Sequence, residues 1–131
     1  MAESGLRWIE LLDGLGLSPH FLPVMTAPDT LARLAATIAA RRHADPASSW
    51  VAKLYARGLP VIARKLGEEA VETITAALAG THEELVGEAA DTIFHLLVLL
   101  DAKGVALDEV LAELDRREGT SGIAEKASRS E

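Results

Sequence analysis

Nowhere along the chain do apolar and polar residues alternate with the period of two that a half-buried strand requires; apolar positions recur instead at helical spacing. The pattern predicts helices throughout. Gly5 to Leu15 reads as one short amphipathic helix, after which Gly14, Gly16, Pro19, Pro23 and Pro28 punctuate an irregular segment. A helix from about Asp29 to His43 places Leu31, Leu34, Ala35 and Ile38 on one face, and Asp45-Pro46 breaks it. Ser48 or Ser49 can cap a brief helix through Tyr55, which Gly58 closes, because a serine hydroxyl satisfies free amides and glycine tolerates a left-handed turn. Pro60 suits the first turn of the next helix, whose Ile62, Leu66, Ala70, Ile74, Ala77 and Leu78 form an apolar stripe up to Gly80.

Thr81-His82-Glu83-Glu84 has the form of a capping box and opens a helix that runs to about Lys103, where Gly104 ends it. Leu85, Val86, Ala89, Ile93, Leu96, Leu97, Leu99 and Leu100 cover so much of its circumference that it is expected to be buried on several sides. A last helix spans about Leu107 to Arg117, with Val110, Leu111 and Leu114 inward, and Gly119 stops it. The division that follows is an N-terminal extension over 1–28, one all-α domain over 29–118 and a polar tail over 119–131.

Composition narrows the chemistry. With 131 residues, 49% of them apolar, the chain suits a single core. Thirteen basic against twenty acidic side chains leave a net charge of −7, which argues against broad binding to nucleic acid or anionic membrane. An anionic ligand would need a local remedy, such as a divalent cation held where carboxylates converge. Cysteine is absent, which excludes disulfides, zinc–thiolate sites, iron–sulfur clusters and cysteine nucleophiles. The apolar run Ile93 to Leu100 is interrupted by His95 and falls far short of a membrane span, and no secretory signal pattern opens the chain. The expectation is a cytoplasmic protein.

Two acidic pairs stand at helical spacing, Glu69-x-x-Glu72 and Glu88-x-x-Asp91, each pair on one face of its helix. Only Gly80 and Thr81 separate the two helices, so they are expected to pack antiparallel. Glu72 lies eight positions before Gly80 and Glu88 seven after Thr81; Glu69 lies eleven before and Asp91 ten after. At a rise of about 1.5 Å per residue the pairs reach matching heights. Four carboxylates brought together beside Leu66, Ala70, Ala89 and Thr92 raise one another's pKa unless a cation compensates. Oxygen-only ligation favours Mg²⁺, with Mn²⁺ a possible substitute, and Mg²⁺ commonly takes its remaining ligands from water and phosphate. A single acidic pair usually only solvates a helix face; the matched second pair makes the metal reading the better one.

Neighbouring residues fill out this picture. Glu68 points about 100° round the helix from Glu69 and reads either as an outer ligand or as surface. His95 shares the stripe of Asp91, although a satisfied core histidine is the plainer reading. Lys53, Arg57, Arg64 and Lys65 cluster before the acidic pairs, where phosphates would need neutralisation; function is favoured for Lys53 and Lys65. Trp50 could stack on a base or pack against the core.

Taken together, Ser49-Trp50-x-x-Lys53-Leu54, Lys65-x-Gly67-Glu68-Glu69-Ala70-x-Glu72 and Glu84-Leu85-x-x-Glu88-Ala89-Ala90-Asp91-x-x-x-His95 resemble the phosphoribosyl-ATP pyrophosphohydrolases, of the all-α nucleoside-triphosphate pyrophosphohydrolase superfamily. The acidic motif is common to that superfamily. The segment around Ser49, Trp50 and Lys53, and Gly119-Thr120-Ser121-Gly122-Ile123 leading to Glu125-Lys126-Ala127-Ser128-Arg129, resemble the histidine-biosynthesis branch; Val51 stands where that branch usually has threonine. The resemblance covers roughly Leu31 to Arg129.

It implies hydrolysis of phosphoribosyl-ATP to phosphoribosyl-AMP and pyrophosphate by metal-activated water, the second step of histidine biosynthesis. Glu69, Glu72, Glu88 and Asp91 would hold metal and act with Glu68 in catalysis, while Ser49, Trp50, Lys53 and Lys65 would bind substrate and the tail could contact it. It also implies a homodimer that completes an antiparallel helical bundle, and the excess apolar surface of the helix after Thr81 agrees. The alternatives are a general (d)NTP pyrophosphatase of the same superfamily, or a non-catalytic helical dimerisation module. A di-iron bundle lacks its Glu-x-x-His motifs here.

Overall fold

Six helices make up the regular structure of the described residues, 27–119 and 121–129, in a computed structural model. They are α1 (Ala27–Arg41), α2 (Trp50–Arg57), α3 (Leu59–Ala79), α4 (His82–Ala102), α5 (Leu107–Arg117) and α6 (Gly122–Ser128). Every regular element among these residues is helical. The expected helix over Gly5 to Leu15 and most of the punctuated segment after it lie outside the described residues. None of the described helices is long and apolar enough to cross a membrane.

Local chemistry accounts for the boundaries. Of the two serines that could cap α2, Ser49 does so, its buried hydroxyl accepting from the Ala52 amide at 3.3 Å. Gly58 then closes α2 and opens α3 in one residue: at φ +96° its amide reaches the carbonyls of Leu54 and Tyr55, while its own carbonyl receives the amides of Val61 and Ile62. A side chain is strained at that φ, so glycine is required. The capping box before α4 is complete, with the Thr81 amide donating to Glu84 Oε2 at 2.8 Å and the Glu84 amide donating to Thr81 Oγ1 at 3.1 Å. Gly80 makes room for it, since a Cβ there would lie 2.9 Å from the Ala76 Cα and 2.5 Å from Glu84 Oε2.

The resulting hairpin of α3 and α4 is the framework on which α1 and α2 rest. Its far end is covered: Ile38 from α1, Val51 and Leu54 from α2, Ile62 from α3, and Phe94, Leu97 and Val98 from α4 form the core. Each such side chain contributes about 1.5–3 kcal/mol by leaving water. An ion pair between Arg42 and Asp101 at 2.8 Å, with Tyr55 donating to the same carboxylate, ties the end of α1 and α2 to the end of α4. One face of the hairpin is bare. Val71, Ile74 and Leu78 on α3 and Val86, Ile93 and Leu96 on α4 are all exposed, Leu78 at 83%. The expected burial of α4 on several sides therefore holds, within one chain, only for the face that carries Phe94, Leu97 and Val98.

Two boundaries differ from expectation. Helix α1 begins at Ala27 and ends at Arg41, leaving His43 in the turn that follows. Within the polar tail lies α6, capped by Ser121, whose hydroxyl accepts from the Ala124 amide at 3.1 Å. Charge ties it to α5: Glu125, itself 9% exposed, accepts from Arg116 at 2.9 Å, while Arg129 at the end of α6 donates to the same carboxylate at 3.3 Å. Arg116 above all holds the Glu125 carboxyl below the usual carboxylate range. A helix held this way has no apolar stripe for a hydropathy pattern to reveal.

Candidate active site

The carboxylates sit midway along the hairpin. Thr73 on α3 and Thr92 on α4 fix the register there. Each hydroxyl lies within 2.9 Å of the carbonyl one turn back, that of Glu69 or Glu88, and the two hydroxyls are 2.8 Å apart. One hydroxyl hydrogen must therefore bridge the helices, one turn from both acidic positions. Neither threonine is marked out in the sequence by more than its i+4 spacing from a glutamate.

One turn from this clasp the acidic side chains converge. Glu69, Glu88 and Asp91 each offer an oxygen, and these atoms all lie within 4.8 Å of one another. Glu72 lies beside this group, close enough to raise the carboxyls of both Glu69 and Glu88. Oε2 of Glu69, Glu72 and Glu88 is buried with no hydrogen-bond partner. Buried carboxylate oxygens left unpaired are costly. Burial, then Glu72, then the charge of Asp91 push the Glu69 carboxyl up to about 7, against a smaller downward pull from Lys65. Burial and Glu72 push Glu88 up as well. This cluster has the donor chemistry, the orphaned oxygens and the mutual repulsion that a hard divalent cation relieves, so the residues present fit a metal ion.

Cationic groups edge the cluster on one side. Lys65, whose side chain is only 18% exposed, lies 3.1 Å from Glu68 and 3.6 Å from Glu69. Glu68 turns away from the convergence towards Arg64 at 3.3 Å and Lys65, in keeping with its rotation round the helix. The ammonium groups of Lys53 and Lys65 lie 5.8 and 6.0 Å from the centre of the Trp50 ring. Ser49 serves as the cap of α2 and is 4% exposed. His95, buried at 5% exposure, contacts Trp50 through its ring, and burial holds its pKa below the ordinary value.

Fold and site together define a class: a protein whose described residues are helical, with a cation-compatible carboxylate cluster inside a helical hairpin, edged by Lys65. Within that class the sequence comparisons are specific. Residues 31–118 match the family of phosphoribosyl-ATP pyrophosphohydrolases. A phosphoribosyl-ATP pyrophosphatase from Erythrobacter litoralis is 70% identical over 103 residues, covering 79% of this chain and 99% of the relative. Its counterpart from Novosphingobium aromaticivorans is 71% identical over 102 residues, 78% of this chain and 95% of the relative. One from Rhizorhabdus wittichii is 65% identical over 100 residues, with 76% and 94% covered. The chain belongs to the phosphoribosyl-ATP pyrophosphohydrolase family.

Proposed function

We propose that this protein hydrolyses phosphoribosyl-ATP to phosphoribosyl-AMP and pyrophosphate, the second step of histidine biosynthesis, as a cytoplasmic Mg²⁺-dependent enzyme. The observation that carries the metal assignment is the trio of buried, partnerless carboxylate oxygens on Glu69, Glu72 and Glu88 beside Asp91. Bound by these four residues, Mg²⁺, or Mn²⁺ in its place, would supply an activated water and neutralise charge on the phosphoryl oxygens. In the net reaction a water oxygen bonds to phosphorus, the anhydride bond between the α and β phosphates breaks, and one proton is released. We assign that proton to Glu68 or to another carboxylate of the group; Glu68 is exposed and paired with Arg64 and Lys65. Lys53 and Lys65 bind phosphate oxygens, with Trp50 between them in the substrate wall and Ser49 fixing the end of α2 that carries both Trp50 and Lys53.

The same reading includes a homodimer in which two hairpins form an antiparallel bundle. Val71, Ile74 and Leu78, and Val86, Ile93 and Leu96, present apolar surface on both helices of the hairpin, a self-complementary face of the kind a two-fold interface uses. The face adjoins the carboxylates, so a second copy would also shield the site from water.

The deciding experiment is pyrophosphate release from phosphoribosyl-ATP, with and without Mg²⁺, beside a panel of dNTPs. Turnover of phosphoribosyl-ATP that requires metal supports the assignment. Preference for dNTPs would make the protein a general nucleotide pyrophosphatase, and no turnover of any substrate would leave a dimerisation module.

A further inference from the structure

His95 stands one turn beyond Asp91 on α4, and its two ring nitrogens are both engaged. Nδ1 lies 2.8 Å from the Asp91 backbone carbonyl, and the Trp50 indole N–H reaches Nε2 across a long 3.4 Å contact. A carbonyl can only accept and an indole nitrogen can only donate. The ring must therefore carry its proton on Nδ1 and offer a bare Nε2, which settles its tautomer by partner chemistry alone. The consequence lies on the other side of Trp50. Its ring is the shared neighbour of Lys53, on the same short helix, and of Lys65, on α3, and Lys65 in turn reaches Glu68 and Glu69. Ammonium groups are attracted to an indole face, and the place of that face depends on what holds the ring. His95 thus links the helix that carries Glu88 and Asp91 to the two lysines beside Trp50, of which Lys65 edges the carboxylates.

We propose that His95 is a positioning residue: by accepting the Trp50 indole N–H it fixes the ring against which Lys53 and Lys65 are held, and so sets where phosphate is bound relative to the carboxylates. This rests on the assignment of the two lysines to phosphate made above. The role differs from catalysis, since His95 would touch neither substrate nor metal, and from mere packing, since it depends on one acceptor atom. Replacement by asparagine keeps a donor near Nδ1 but is too short to reach the indole; replacement by glutamine can return an acceptor to the Nε2 position.

The test compares wild type, H95N, H95Q, W50F and the double variant H95N/W50F. For each, KM and kcat are measured with phosphoribosyl-ATP, and Kd is measured for inorganic pyrophosphate in Mg²⁺. H95N is expected to raise KM and the pyrophosphate Kd roughly three- to tenfold, with kcat within about twofold of wild type. H95Q should recover most of the loss, and H95N should add little in the W50F background, where the indole donor is already gone. An unchanged KM and Kd in H95N, no recovery in H95Q, or an undiminished effect on top of W50F would each overturn the proposal. Should H95N not fold, by circular dichroism, H95L takes its place with the same expectations. If wild type fails to turn over phosphoribosyl-ATP, the substrate assignment falls, and the pyrophosphate Kd values alone decide the role of His95.

Discussion

Replacing Glu69 by glutamine probes the carboxylate cluster at its most buried member. Glu69 is 2% exposed, and its carboxyl titrates at about 7 in place of the ordinary 4.5. A carboxyl raised in this way keeps a proton in the folded protein that the unfolded chain has already released. Folding therefore takes up a proton between about 4.5 and about 7, and stability falls as pH rises through that window. At about 1.4 kcal/mol for each tenfold change, the whole penalty is on the order of 3 kcal/mol above pH 7, a ceiling that Glu69 shares with the neighbours that cause it. Glutamine carries no charge at any pH. Without metal, E69Q should then melt above wild type at pH 8, by up to about 10 °C for a domain of this size, and show little or no advantage at pH 4.5. Mg²⁺ should reverse the order. A native-state ligand at a hundredfold excess over its Kd adds roughly 2.7 kcal/mol, which wild type should gain and the variant, lacking one ligand charge, should gain only in part. The assay is thermal unfolding at pH 4.5 and 8, in EDTA and in Mg²⁺, at one protein concentration, because association also moves a melting temperature. If E69Q melts no higher than wild type at pH 8 without metal, or responds to Mg²⁺ equally, the carboxylates do not repel one another as argued and do not hold the ion.

Three further outcomes follow from particular contacts. K53A should raise KM for phosphoribosyl-ATP about tenfold and leave kcat within about threefold, as expected for a group that binds a phosphate present in the ground state; steady-state kinetics in which only kcat moves would remove Lys53 from the phosphate site. I74E puts a charge into the bare face of α3 and should weaken self-association by about a hundredfold or more, read by light scattering across a dilution series. An unchanged mass at all concentrations would mean that this face is not where two copies meet. G80A forces a Cβ against Ala76 and the capping-box glutamate, and should lower stability by about 1–3 kcal/mol, seen as a shifted denaturation midpoint.

Much of the architecture was legible before any coordinates, because it is written in short-range chemistry. Gly58, Pro60, Gly80 and the Thr81 capping box act within one turn of themselves, so the helix ends they set could be placed from residue type and spacing. The approach of Glu69 to Glu88 and Asp91 was legible for a related reason. A two-residue turn leaves two helices hardly any choice but to lie side by side, and counting outward from it brings the acidic positions level. Spacing alone could not supply what depends on partners far along the chain. The Thr73–Thr92 clasp joins residues nineteen apart, and the Trp50–His95 contact joins residues forty-five apart. Each takes its meaning from the relative rotation of packed helices, which hydropathy does not encode. Helix α6 escaped the apolar pattern because Arg116 and Arg117 of α5 hold it through Glu125, and charges on a surface look alike whether paired or solvated until folding brings them within 3 or 4 Å. The sequence by itself thus determined the helices from α1 to α5 and the level at which their acidic positions lie; the tertiary structure alone decided α6, the burial that lifts Glu69 to about 7 and the neighbours that orient each side chain, since these are properties of packed surfaces.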